Sequence, residues 1–263
     1  MMMVALSFRL PITFKAMRSA GLNNQNLENM RELNYIDETI ERDENPALRI
    51  GSVGRSALST VYLMDCIEGM KQFPDKIFDL AVVDPPYGLG NRLSDGGGKL
   101  KNTPMATLYR EKDWDILPTA EYWKELFRVS KNQVVFGANY FLEFLPNTRG
   151  FVCWDKKQNM PTLSACELVW TSLDKPAKIM KKSSMDLDRF HPTQKPIYVY
   201  EWMFKYCKTQ EGDLILDTHL GSQSSRIAAN KAGLDFVGFE IDREYFDNGN
   251  NRFKNFVSQG VLF

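Results

Sequence analysis

Residues 213–242 read DLILDTHLGSQSSRIAANKAGLDFVGFEID, and this stretch decides the fold. The apolar run Leu214 to Leu216 ends in Asp217, a turn carrying Gly221 follows, and SSRIAANKAG (224–233) has the composition of a helix. A second apolar run, DFVGFEID (235–242), brings Glu240 to its end, and REYFDNGNNRF (243–253) supplies a further helix. Short, nearly continuous apolar runs are strands buried on both faces, as in parallel sheets covered by helices. Strand, helix and strand in this order make a βαβ unit.

Working outward, the same alternation recurs. TVYLMD (60–65) is a short apolar run, and CIEGMKQF (66–73) follows with helical spacing. FDLAVVD (78–84) is a buried strand, and TAEYWKELFRVS (119–130) puts Trp123, Leu126 and Phe127 on one helical face. QVVFG (133–137) and FVCWD (151–155) read as strands, and ELVW (167–170) is a strand candidate among lysines. PIYVYEWMFKYC (196–207) is a helix with proline at its first turn. The predicted architecture is α/β, a doubly wound, mostly parallel sheet. Residues 1–58 show no sustained period and form a loosely packed extension to a domain over 59–263. Within that domain, 155–190 is a short insert and 88–105, GLGNRLSDGGGKLKNTPM, is a loop rich in glycine.

The 263 residues carry 33 Lys+Arg against 33 Asp+Glu, which excludes a uniformly basic nucleic-acid coat protein but leaves room for a local basic patch. Apolar residues at 43% suffice for a core. Four cysteines without a CxxC pair and two histidines give no structural metal site and suit a reducing compartment. No run approaches the roughly 20 apolar residues of a membrane span. The expected location is the cytoplasm, without a membrane partner.

Three segments carry chemistry. Asp84-Pro85-Pro86-Tyr87 closes the apolar strand 78–83, at the sheet edge where open α/β folds place ligands. The prolines stiffen the backbone, so the Asp84 carboxylate and Pro85 carbonyl stand as fixed acceptors beside the Tyr87 ring. Acceptors in a plane beside an aromatic face suit an amino-bearing base; a proline-rich turn after a strand is the plainer alternative. The second segment is the turn from Asp217 through His219, Gly221 and Ser222, where backbone N–H groups can meet a polar ligand, with Glu240 placed to accept ribose hydroxyls. The third is HPTQKP (191–196), presenting His191, Thr193 and Lys195 at a helix entrance.

Taken in chain order, DPPY, HPTQKP and then the Gly221 turn, the three resemble one family, the permuted (beta-class) DNA amino-methyltransferases acting on adenine N6 or cytosine N4. The resemblance covers roughly residues 58–250, through DPPY, HPTQKP, a variant of the LDPFxGSGTT loop and a strand ending in an acid. It implies a Rossmann-like seven-stranded sheet, S-adenosylmethionine as cofactor and double-stranded DNA as partner, with the protein a monomer or homodimer in a restriction-modification setting. By matched position it makes Asp84, Pro85, Pro86 and Tyr87 catalytic. Asp65, His191, Thr193, Lys195, Asp217, His219, Gly221, Ser222 and Glu240 would form the cofactor site.

The loop departs from the family at His219, where Phe is usual, and at Gln223, where glycine is usual and a Cβ would crowd a close backbone approach. Carbon-5 cytosine chemistry is excluded, because no cysteine follows a proline: the preceding residues are Asp65, Val152, Ala165 and Tyr206. The family's cytosine members more often carry Ser in place of Asp84, so the expected reaction is methylation of adenine N6 after base flipping; cytosine N4, or a catalytically weak nucleic-acid-binding relative, is the alternative. Six lysines against three acids between 155 and 184 make a basic patch in the 155–190 insert, where the resemblance implies the target-recognition region, with Lys178, Lys181 and Lys182 as expected phosphate contacts. Gly96, Gly97 and Gly98 would let the 88–105 loop move over the base.

Overall fold

The computed structural model describes residues 57–88, 115–158, 164–184, 189–191 and 193–260. Almost all of the expected N-terminal extension and of the 88–105 loop lies outside them. Among the described residues the strands are β1 (Ser59–Leu63), β2 (Phe78–Val83), β3 (Ser130–Phe136), β4 (Val152–Asp155), β5 (Cys166–Thr171), β6 (Lys178–Lys181), β7 (Leu214–Asp217) and β8 (Asp235–Glu240). They form one eight-stranded sheet in the order β1-β8-β7-β2-β3-β5-β4-β6. The family resemblance implies seven strands; the eighth, β6, reads KIMK and is registered in parallel on β4 with Met180 opposite Trp154. The helices are α1 (Cys66–Lys71), α2 (Ala120–Val129), α3 (Ile197–Cys207), α4 (Ser224–Lys231) and α5 (Arg243–Gly260).

Local chemistry sets the ends of these elements. Asp65 caps α1, its Oδ1 accepting from the N–H groups of Ile67 (2.8 Å) and Glu68 (3.1 Å). Thr119 caps α2 in the same way, and Trp123, Leu126 and Val129 bury its apolar side. β8 is buried along its whole length, as a strand covered on both faces must be. One core layer joins α1 and α2 to the sheet through Phe78, Trp123, Leu126 and Phe239. The other joins α3, α4 and α5 through Val199, Met203, Ala228 and Phe246. Helices on both faces make the sheet doubly wound, as expected.

The register places the site. β1, β8, β7, β2 and β3 run parallel, so their carboxyl ends share one edge of the sheet. β5 is antiparallel to β3, with Phe136 opposite Val169, which brings the start of β5 to that same edge. β4 pairs Asp155 with Cys166 and therefore delivers its last residues there too. No described helix is long and apolar enough to cross a membrane.

Candidate active site

A cavity of about 570 Å³ opens along this edge, within the usual size range of small-molecule sites. Asp84, Pro85, Pro86 and Tyr87 line one half with residues from the β4–β5 end of the sheet, and Asp65, His219, Gly221 and Glu240 line the other. Two of the three segments singled out in the sequence thus face each other across one space, and His191, Thr193 and Lys195 of the third also line it.

In the first half, charged groups interlock. The Lys195 ammonium donates to Asp84 Oδ2 at 2.5 Å and lies 3.1 Å from Glu167 Oε1. The Tyr87 hydroxyl donates to Asp84 Oδ1 at 2.7 Å and reaches Glu167 Oε1 at 3.1 Å. Lys156 pairs with the other Glu167 oxygen at 2.7 Å. Two carboxylates thus balance two ammonium groups, which a nearly dry site requires. Burial pushes the Asp84 carboxyl up, Lys195 pulls it down, and the neighbouring Glu167 charge adds to the rise; the net direction is up. Burial also opposes ionisation of Glu167, but Lys195 and Lys156 together hold it down at about 2. Two acids in one site are thereby set apart, one readier to take a proton and one kept ionised.

The Tyr87 ring stacks on Tyr140 at 4.7 Å with an interplanar angle of 15°. Its edge rests on Gly137, where φ is +64° and a Cβ would stand 2.2 Å from Tyr87 Cε1, so this turn requires glycine twice over. One face of Tyr87 is therefore already covered, and Tyr140, 38% exposed, offers its own outer surface to the cavity.

In the other half, Glu240 Oε2 accepts from the Gly221 N–H at 2.8 Å, while Oε1 accepts from Ile241 (3.0 Å) and Asp242 (2.9 Å). Gly221 N–H is consequently spent inside the protein and not offered to a ligand, contrary to the sequence expectation. Gly221 has φ +46°, and a Cβ there would sit 3.2 Å from the His191 ring, which packs edge-on against Tyr245. His219 occupies the position where the family has Phe. Burial holds its imidazole down at about 4, so it is neutral, and its Nδ1 joins Thr218 Oγ1 (2.9 Å), itself bonded to the Tyr122 hydroxyl (2.8 Å).

Several expectations need relocation. Asp217 does not line the cavity: its carboxylate accepts from the His219 N–H (3.0 Å) and the Ser225 hydroxyl (2.5 Å) and anchors the turn from below. Lys195, expected among the cofactor contacts, sits on Asp84 in the opposite half. Gln223 does not crowd the cavity either. It takes the left-handed φ of +58° and turns inward, accepting from Arg226 (2.9 Å) and donating to Asn250 Oδ1 (2.9 Å). The basic patch is divided: Lys156 points into the site, Lys175 donates to the Tyr206 carbonyl, and Lys182 lies over the Tyr198 ring. Lys178 and Lys181 are exposed on β6.

Sequence reasoning missed Glu167, Lys156 and Tyr140 as site residues. A glutamate inside the apolar run ELVW was the available signal for the first.

A family model described as DNA methylase matches residues 153–251, which hold the β4–β6 segment, HPTQKP and the turn below the cavity. The type II methyltransferase M2.LlaDCHI of Lactococcus lactis subsp. cremoris is 24% identical, over 75% of this chain and 90% of its own length. The type II methyltransferase M2.DpnII of Streptococcus pneumoniae is 25% identical, over 69% of this chain and 84% of its own. The chain resembles the DNA amino-methyltransferases. Among solved structures, the PvuII DNA methyltransferase, cytosine-N4-specific, shares the fold of this chain with a TM-score of 0.53 and 14% identity, over 78% of this chain and 93% of that one. The DPPY segment and the Gly221 turn lie on one continuous cavity, so the two halves of a methyl-transfer reaction can meet there.

Proposed function

We propose that this protein transfers a methyl group from S-adenosylmethionine to the exocyclic N6 of adenine in double-stranded DNA. The observation that carries the reading is the single cavity joining Asp84-Pro85-Pro86-Tyr87 to Asp65, Gly221 and Glu240. The second half suits the cofactor. Asp65 uses only Oδ1 for its helix cap and keeps Oδ2 for a ligand donor, and Glu240 Oε2 has accepting capacity beyond the Gly221 N–H. The neutral His219 and the side chains of Ile67 and Leu220 supply apolar wall, and the acids favour a cation. When bound, S-adenosylmethionine supplies an electrophilic methyl on a positively charged sulfur.

The residues of the first half prepare the amine. An exocyclic amine is a weak nucleophile because its lone pair is delocalised into the ring. Hydrogen bonds from its N–H groups to Asp84 and the Pro85 carbonyl favour a pyramidal nitrogen, and fixed acceptors need no reorganisation. The methylated nitrogen must shed a proton, and Asp84, whose carboxyl is pushed up by burial, is the better acceptor of the two acids. Such an amine cannot be reached inside a duplex, so the base is flipped out and lies against the Tyr87–Tyr140 aromatic pair. Adenine is favoured over cytosine by the Asp that opens the DPPY segment.

Titration calorimetry with S-adenosylmethionine, paired with transfer of labelled methyl to DNA, tests this. Binding with transfer supports it. Tight binding without transfer to any DNA would favour a catalytically inert relative, and absence of both would overturn it.

A further inference from the structure

We infer that Glu167 is a positioning residue of the methyl-transfer site, the carboxylate that takes over the Lys195 ammonium and the Tyr87 hydroxyl when a target amine engages Asp84. This rests on the reading of Asp84 as the amine acceptor.

Both oxygens of Asp84 already carry a protein donor, Tyr87 on Oδ1 at 2.7 Å and Lys195 on Oδ2 at 2.5 Å. An incoming amine must displace or share one of them, and a buried ammonium left without a partner is strongly destabilising. Each displaced donor has a second acceptor in reach, and for both it is the same atom, Glu167 Oε1, at 3.1 Å. The exchange therefore needs movements of a few tenths of an ångström. Glu167 cannot drift to meet them, because Lys156 holds Oε2 at 2.7 Å and the side chain is 8% exposed. It starts from the second residue of β5, in register with Trp154 of β4, so its backbone is held as well.

A purely structural role, balancing the charges of Lys156 and Lys195, would not require one oxygen to face both donors of Asp84. The groups acting on Asp84 are few. Tyr87 follows β2, Lys195 precedes α3 and Glu167 lies on β5; Asp217 of β7, Tyr122 of α2 and Tyr200 of α3 are near enough to interact through space. Of the carboxylates, Glu167 is the one within reach of both donors of Asp84.

The test measures kcat, the KM for S-adenosylmethionine and the pH profile, from about pH 5 to about pH 9, for the full chain and its Glu167→Gln and Glu167→Asp variants on duplex DNA. Glu167→Gln is expected to lose about a hundredfold in kcat with the cofactor KM within about twofold, since donors stranded on Asp84 misplace the amine. Its acid limb should also move to lower pH, because Asp84 loses a like-charged neighbour and keeps Lys195 to itself. A folding defect would lower kcat without moving that limb, a role limited to charge would move the limb with kcat nearly unchanged, and either result would overturn the inference. Glu167→Asp keeps the charge but draws it back, and should hold the wild-type limb with an intermediate kcat; it carries the test if Glu167→Gln does not fold. An unmoved limb in Glu167→Gln, or a wild-type kcat in Glu167→Asp, would overturn the inference. A wild-type chain that transfers no methyl would instead sink the functional reading beneath it.

Discussion

Replacing Gln223 by glycine restores the residue usual in the family and should nevertheless weaken the protein. Its buried side chain accepts from the Arg226 guanidinium at 2.9 Å and donates to Asn250 Oδ1 at 2.9 Å and, more weakly, to the Phe246 carbonyl at 3.4 Å. A hydrogen bond to a charged group contributes about 1.5–3 kcal/mol and a neutral one about 1 kcal/mol. Burial of the two methylenes adds about 1.6 kcal/mol. Against this, glycine relieves the left-handed backbone, by about 1–2 kcal/mol. The balance is a loss of about 2–4.5 kcal/mol, or about 4–18 °C in Tm for a domain of this size. Cofactor affinity should stay within about twofold, because the side chain turns away from the cavity. Thermal unfolding by circular dichroism and calorimetric titration with S-adenosylmethionine measure the two separately. A Tm equal to or above wild type, or a large change in affinity, would refute the inward placement of Gln223.

Other outcomes follow from the same geometry. Burial pushes the Asp217 carboxyl up to about 7, above its unfolded value. The folded state then binds more protons, so stability falls as pH rises from about 4 to about 7. Asp217→Asn should flatten that window in pH-resolved unfolding; an unchanged slope would remove Asp217 as its source. Glu240→Ala deprives three backbone N–H groups of their acceptor. It should weaken S-adenosylmethionine binding by about 10–150-fold, the equivalent of about 1.5–3 kcal/mol, and affinity retained within twofold would take Glu240 out of the site. For Lys178, Lys181 and Lys182, joint replacement by Ala should shrink the log–log salt slope of DNA binding by about 0.9 for each phosphate no longer neutralised. An unchanged slope would place the DNA on another face.

The sheet and most helices were legible in the sequence because central parallel strands are apolar throughout and the turns between them are polar. FDLAVVD and DFVGFEID could hardly be read otherwise. β6 was not legible, since KIMK is a short edge strand whose lysines point to solvent and whose single buried residue, Met180, gives no period. DPPY located one half of the cavity for a similar reason: prolines after a buried strand fix where a carboxylate goes. Asp217 and Glu240 looked alike as acids ending strands. The difference lies in which neighbour claims the carboxylate, Ser225 from the first turn of α4 or backbone groups at the cavity wall, and no spacing encodes that. Glu167 on β5 and Lys195 before α3 lie 80 and 111 residues from the Tyr87 and Asp84 they bond, so this pairing could be seen only once the register of β5 on β3 was known.

The most direct test of the central claim is mass spectrometry of nucleosides from unmethylated duplex DNA incubated with the protein and S-adenosylmethionine, with Asp84→Ala in parallel. N6-methyldeoxyadenosine is expected from the wild type and none from Asp84→Ala, which should bind the cofactor as the wild type does because Asp84 stands in the other half of the cavity. N4-methyldeoxycytidine alone, or equal methylation by the Asp84→Ala variant, would contradict it.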